Sequence, residues 1–363
     1  MAVHPHVLIV GAGIIGASIA WHLVRGGARV TVLDAATPGG LATRNSWAWI
    51  NASWGNPEPY YRLRIRAMQD WHRLEQDVPG LRVTWAGGLL WELPPDQLEA
   101  FAVEHAAWGY GIHRVDRRGV HRLEPHLAAP PEFAVHVPAE GSVELLEATL
   151  ALLSAAQGLG ATVIADTPVR RLNLSAGRVT AVETDAGRLA ADAVVVACGT
   201  GTAKLVATVG LTLAVSASPA LLVVTQPHAR CLNGLVMSPE MQLRQTAEGR
   251  LVAAVGLADT DPGADGAAEA ATLIDAMRGM IISGASIAPD YHVVGRRPMP
   301  QDGFPVVGQV DGITGLYVAV MHSGVTLAPA IGRFVADELL TGQRDDLLVP
   351  YRPARLADVS PAA

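Results

Sequence analysis

His6-Val-Leu-Ile-Val-Gly-Ala-Gly-Ile-Ile-Gly16 is the stretch that decides the fold. Its apolar run reads as a buried strand, its glycines as a tight turn, and Ile14 to about Val24 as a helix. Gly11 permits the turn, Gly13 lets a pyrophosphate approach the backbone, and Gly16 lets the helix pack on the strand. The helix N-terminus, at Ile14 and Ile15, then offers free N–H groups and a positive dipole end to an anion. A second apolar run, Ala28 to Leu33, ends at Asp34, where the ribose-binding carboxylate of a dinucleotide fold belongs. The glycines alone also fit a turn in some other α/β protein. Strand, helix and acid together point to a dinucleotide, without separating FAD from NAD.

The chain has 363 residues, enough for two domains or for one domain with a second inserted. Half the residues are hydrophobic and 17% are charged, the balance of a globular enzyme with a sizeable core. A net charge of -7 argues against a nucleic-acid partner, because phosphates are repelled. Two cysteines, Cys198 and Cys231, give neither a disulfide framework nor metal spacing, and fit a reducing cytoplasm. His113, His121 and His126 are not at metal-ligand spacing either, so no metal site is expected. The apolar start lacks the basic flank of a signal peptide. The uncharged run from Leu205 to Pro227 carries Gly210, Pro219 and scattered hydroxyls, which make a poor membrane span.

After Asp34 a polar, Gly-rich loop runs to Ser46 and leads into Trp47-Ala-Trp49. It reads equally as a cofactor lining or as a solvated loop beside core tryptophans. Tyr60 to Asp77 has helical spacing, with Leu63, Ala67, Trp71 and Leu74 as its stripe. Val83 to Leu93 reads as two short strands about a Gly-Gly turn, Pro95 to Trp108 as a helix, and Gly141 to Gly160 as an amphipathic helix. Short strands lead to Ala193-Val-Val-Val-Ala-Cys-Gly199-Thr-Gly201, a second buried strand running into glycines. Residues 215–294 are β-patterned, apart from a helix at Ala267–Ile282. Arg296 to Gly308 reads as a Pro/Gly loop that becomes extended. Gly315 to Met321 is a strand, His322-Ser-Gly324 a turn, and Thr326 to Leu340 a closing helix.

Together these segments resemble the D-amino-acid oxidase (DAO) family of FAD-dependent oxidoreductases. The matching pieces are the Gly11 to Gly16 turn with Asp34, the return strand Ala197-Cys-Gly-Thr-Gly201, the loop Arg297-Pro-x-x-x-Asp-Gly303-x-Pro305-x-x-Gly308, and the tail Gly324-Val-Thr-Leu-Ala-Pro329-x-x-Gly332. They span nearly the whole chain in the family's order. The resemblance implies an α/β (α+β) fold: a Rossmann-like FAD-binding domain of the glutathione-reductase type, with a discontinuous β-rich substrate domain. The FAD domain would take residues 1–80, 140–214 and 295–363, and the substrate domain residues 81–139 and 215–294. The implied FAD-binding residues are Gly11, Gly13, Ile14, Ile15, Gly16, Asp34, Ala35, Thr43, Arg44, Asn45, Ser46, Trp47, Val169, Ala197, Cys198, Gly199, Arg297, Ser323, Gly324, Val325, Thr326 and Leu327. The last helix dipole would stabilise negative charge on the flavin.

In the glycine-oxidase branch the Arg of this loop binds the substrate carboxylate, a role that falls to Arg297. His322 stands where that branch has a second active-site Arg, Gln242 where it has a lid Tyr, and Leu257 where it has Met. These changes imply a longer or more apolar substrate than glycine. No cysteine lies near Arg296–Asp302, so FAD is expected to be noncovalent. Lys204, the only lysine, is not in the second domain, so no counterpart of the oxygen-activating lysine of sarcosine oxidase is evident. The expected reaction is oxidation of the C–N bond of an amino acid or secondary amine, by hydride transfer to flavin N5, giving an imine that hydrolyses. Oxygen or another acceptor would then take the electrons. Three alternatives stay open: oxidation of a 2-hydroxy acid or alcohol with His322 as base, a flavin-binding subunit of a larger complex, and an NAD(P)-dependent dehydrogenase.

Overall fold

The computed structural model describes residues 5–53, 55–257 and 266–359, with nothing said of side chains in 357–359. The opening run forms the strand His6–Val10 and the helix Ile14–Arg25. The strand lies inside a six-stranded sheet, ordered Val306–Gln309, Leu316–Val320, Ala193–Val196, His6–Val10, Arg29–Leu33, Thr162–Ile164. All neighbours are parallel except the first pair. Alternation along these strands supplies two cores. Val7, Ile9, Val30 and Val32 face the helices with Ile19, Leu23 and Ile331, while Leu8, Val10, Leu33 and Val196 face an antiparallel trio of strands with Leu172, Val179 and Val182. The first helix packs on the last, Gly324–Thr341. A Cβ on Gly332 would lie 2.2 Å from Ser18 Oγ, and Ser18 Oγ donates to Ala328 O at 2.7 Å.

A second, eight-stranded sheet is ordered Pro289–Pro300, Val215–Pro227, Arg250–Gly256, Gln242–Gln245, Leu235–Met237, Gly88–Leu90, Phe133–Val137, His113–Asp116. The helix Ala267–Met280 covers one face through Leu273, Ile274 and Met277. The fold is therefore mixed α/β, as expected.

Several local readings need correction. The two strands about Gly87-Gly88 are not a hairpin. Val83–Thr84 pairs with Gly141–Val143, and Gly88–Leu90 joins the large sheet. Gly141–Val143 is thus a buried strand, and the helix behind it starts only at Leu145. A Cβ on Gly141 would lie 2.6 Å from Thr84 O, so this strand crossing requires glycine. The polar loop after Asp34 contains one helical turn, Leu41–Arg44. Arg297 stands on the long strand Pro289–Pro300, opposite Ser218, rather than in a loop.

No helix among the described residues is long and apolar enough to cross a membrane. Among the same residues no cluster of three His, Cys, Asp or Glu is arranged to hold a metal. Both cysteines are free.

Candidate active site

The glycine turn opens onto a cavity of about 1010 Å³, lined from both large sheets. Gly11 has φ 110°, and a Cβ there would lie 2.5 Å from Ala197 O. A Cβ on Gly16 would lie 1.9 Å from Gly11 O, so helix and turn touch through bare backbone. Gly13 caps the helix without a side chain, Ile14 N donates to Thr43 Oγ1 at 3.2 Å, and Gly13, Ile14 and Ile15 line the cavity. Asp34 accepts from Ala12 N at 2.7 Å and from Ala36 N at 3.0 Å. The acid is thereby fixed at the end of its strand while lining the cavity. Bare glycines, a helix start whose own N-cap residue carries no side chain, and a fixed acceptor acid are the features that a dinucleotide site requires.

A second helix start meets the same cavity. The strand Leu316–Val320 leads through Met321, His322 and Ser323 into Gly324–Thr341, again without a side-chain cap. Thr326 Oγ1 donates to Trp49 O and accepts from Asn51 N, both at 3.2 Å. Arg64, from the helix Glu58–Asp77, braces this corner and is only 5% exposed. Its Nε donates to Asn51 O at 3.0 Å, its Nη2 to Asn51 Oδ1 at 2.5 Å and its Nη1 to Ser323 Oγ at 2.7 Å. Tyr60, one turn earlier, lies beneath the Arg64 guanidinium, and its buried hydroxyl has no partner. Both residues line the cavity, and the sequence reading placed neither at the site. Arg64 did leave a signal, because a charge at position 64 falls in line with Tyr60, Ala67 and Trp71 on the buried face of the helix.

Arg297 enters from the opposite sheet. Its Nη2 donates to Ser218 Oγ at 2.9 Å and to Pro219 O at 3.1 Å, while its buried Nε has no partner. Burial lowers its pKa. His322 lines the cavity and is accessible from it. Desolvation, then Arg297 and Arg64, push its pKa down to about 4, so the imidazole is neutral at pH 7. Cys198 also lines the cavity, beside Thr202 Oγ1 at 3.7 Å, and burial pushes its thiol up to about 11.

Of the remaining residues expected at the site, Ala35, Thr43, Asn45, Ser46, Trp47, Val169, Ala197, Gly199, Gln242, Ser323, Gly324, Val325 and Thr326 line the cavity. Four do not. Gly16 and Leu327 are buried in the helix packing behind it. Arg44 turns away to Pro38 O at 2.6 Å. Leu257, just past the end of its strand, packs into the core beneath the helix Ala267–Met280.

The chain is 32% identical to an uncharacterised oxidoreductase, YurR, of Bacillus subtilis, over 96% of this chain and 98% of that one. It is 27% identical to a subunit of the opine oxidase of Agrobacterium tumefaciens, over 96% of each. It is also 27% identical to glycine oxidase of Geobacillus kaustophilus, over 91% of this chain and 92% of that one. The crystal structure of glycine oxidase from Geobacillus kaustophilus superposes with a TM-score of 0.86 at 24% identity, covering 96% of this chain and 98% of that one. The family model of the DAO FAD-dependent oxidoreductases matches residues 6–338, so the chain belongs to that family and is an FAD-dependent oxidoreductase.

Proposed function

We infer that the protein oxidises the C–N bond of an amino acid or secondary amine. The observation that carries this is Arg297, a half-buried cation whose buried Nε has no partner, lining the same cavity as the glycine turn. The names of the glycine oxidase and opine oxidase relatives support an amine substrate. Gly11, Gly13, Ile14, Ile15, Asp34 and Thr43 would hold the dinucleotide part of FAD, with Ser46, Trp47, Val325 and Thr326 along its remaining length. Bound FAD supplies the two-electron acceptor that no side chain can supply. Noncovalent binding is expected, because no cysteine lies near Arg296–Asp302.

Arg297 binds the substrate carboxylate and fixes the α-carbon. Desolvation first, then the charges of Arg297 and Arg64, lower the His322 pKa, and the same surroundings favour the neutral form of a substrate amine, whose lone pair the oxidation needs. His322, itself neutral, accepts a hydrogen bond from the amine. The imine product is hydrolysed by water. An imidazole with a pKa of about 4 is a poor base for an alcohol proton, which weighs against a 2-hydroxy acid. The reading of the chain as one part of a larger complex keeps one supporting observation, the relative that is itself a subunit of an opine oxidase.

The test is the visible spectrum of the protein kept anaerobic while D-, L- and N-methyl amino acids and 2-hydroxy acids are added. Bleaching of the flavin band by an amine class is the expected result, and admitting air then reads the acceptor. Bleaching by hydroxy acids alone overturns the reading.

A further inference from the structure

Arg297 leaves a second cation of the cavity unexplained. Arg64 has five N–H groups, three of which donate to neutral oxygens of Asn51 and Ser323. One N–H on each terminal nitrogen has no acceptor among the described residues, and neither Arg64 nor Arg297 has an ion-pair partner there. The two acids that line the cavity are both committed. Asp34 accepts from Ala12 N and Ala36 N, and Asp302 pairs with Arg355. A buried guanidinium without a counter-charge is costly to the fold. Arg64, buried on the helix Glu58–Asp77, and Arg297, half-buried on the strand Pro289–Pro300 with a buried and unpartnered Nε, mark two anion positions on different walls. Tyr60, whose ring lies under the Arg64 guanidinium, adds a buried hydroxyl without a partner. Arg64 donates to Ser323, the residue after His322, and Arg64, Arg297 and His322 line one cavity, so the two positions flank one centre.

We propose that Arg64 and Tyr60 form a second carboxylate site, and that the preferred substrate is a dicarboxylic secondary amine of the N-(carboxyalkyl) amino acid class. One carboxylate pairs with Arg297, the other with Arg64 and the Tyr60 hydroxyl, and the nitrogen between them lies at His322. A monocarboxylate neutralises only one of the two cations. This assignment rests on the amine-oxidising reading and names its substrate class.

The test compares two thioethers that cannot be oxidised as amines, thiodiacetate and (methylthio)acetate, which differ by one carboxylate. Their binding to the flavin-loaded protein is measured by calorimetry. Thiodiacetate is expected to bind at least about tenfold more tightly, the worth of one charge-assisted hydrogen bond. Arg64→Met brings the ratio to near one, Arg64→Lys restores part of it, and Tyr60→Phe lowers it about threefold, roughly a weak hydrogen bond. Equal affinities in the wild type, no measurable thiodiacetate binding, or a ratio unchanged in Tyr60→Phe and Arg64→Lys alike overturns the proposal. If Arg64→Met fails to hold flavin, the other two variants decide. Anaerobic bleaching by N-(carboxymethyl)glycine but not by aspartate assigns the two carboxylates to separate branches of the nitrogen, and the reverse overturns that part. The binding ratio needs no turnover, so a protein that oxidises no amine loses the functional reading while the second site is still judged on its own.

Discussion

Replacing Arg297 by Met separates carboxylate recognition from everything else the cavity does. The guanidinium uses Nη2 on Ser218 Oγ and Pro219 O and leaves Nε and Nη1 without acceptors among the described residues. A substrate carboxylate gains one or two charge-assisted hydrogen bonds, each about 1.5–3 kcal/mol. The guanidinium is already partly desolvated by folding, so that part of the cost does not recur on binding. The carboxylate's own desolvation opposes the gain, and a net loss of about 3 kcal/mol, or roughly 10²-fold in kcat/KM, is expected for the variant. The assay pairs an amino acid with the amine that lacks its carboxylate, both followed as flavin bleaching. Only the first should lose the factor, and the variant's Tm should not fall, because a half-buried cation without a counter-charge has been removed. An equal loss with both substrates, or a loss below about threefold with the amino acid, refutes the carboxylate role.

Gly11→Ala places a side chain at φ 110° and 2.5 Å from Ala197 O. About 1–2 kcal/mol of backbone strain and displacement of the returning strand should lower both Tm and flavin retention, read by melting and by absorbance. Asp70 is 3% exposed and holds Arg66, Arg73 and Arg333, which ties the helix Glu58–Asp77 to the last helix. Its partners are partly exposed, so Asp70→Asn should cost roughly 1–3 kcal/mol, below the full value of a buried pair, measured by chemical denaturation. His22 and His322 both have folded pKa values near 4 against 6.5 unfolded. The unfolded chain takes these protons first, so their contribution is whole above about pH 6.5 and lost as pH falls toward 4. The variant His322→Gln should therefore flatten the fall of Tm between pH 6.5 and pH 4, and an unaltered slope contradicts the assignment.

The nucleotide corner was legible because each glycine there answers a local need: a positive φ at Gly11 and a backbone touching a backbone at Gly16. The strand bearing Arg297 was not legible as a strand, since Pro298 and Pro300 read as loop punctuation. They are tolerated because Pro289–Pro300 is the edge strand of its sheet, where a missing N–H breaks no ladder. Arg64 was missed for a different reason. Its partners lie 13 and 259 residues away, at Asn51 and Ser323, and a helical stripe counted by apolar residues is silent about a buried charge. Leu257 was assigned by resemblance alone, and its position one residue beyond the strand Arg250–Gly256 puts it in the core instead.

The cavity's positive field stands against a chain whose net charge is -7. The two act over different distances. Repulsion of an anionic substrate by the surface extends about 30 Å at 0.01 M salt and about 10 Å at 0.1 M. Arg64 is buried, and the Arg297 Nε is buried with no partner, so their attraction is screened far less. Raising salt across that range should thus leave KM for an anionic amine unchanged or lower it, because only the repulsive part is removed. A KM that rises severalfold instead identifies exposed cations as the binding groups. The same buried charges also favour the neutral amine, so carboxylate binding and amine activation should weaken together when either guanidinium is neutralised. In Arg297→Met the pH at which the amine becomes reactive should rise as its affinity falls. An affinity loss with no such shift separates the two roles and assigns the low His322 pKa to desolvation, the first of its causes.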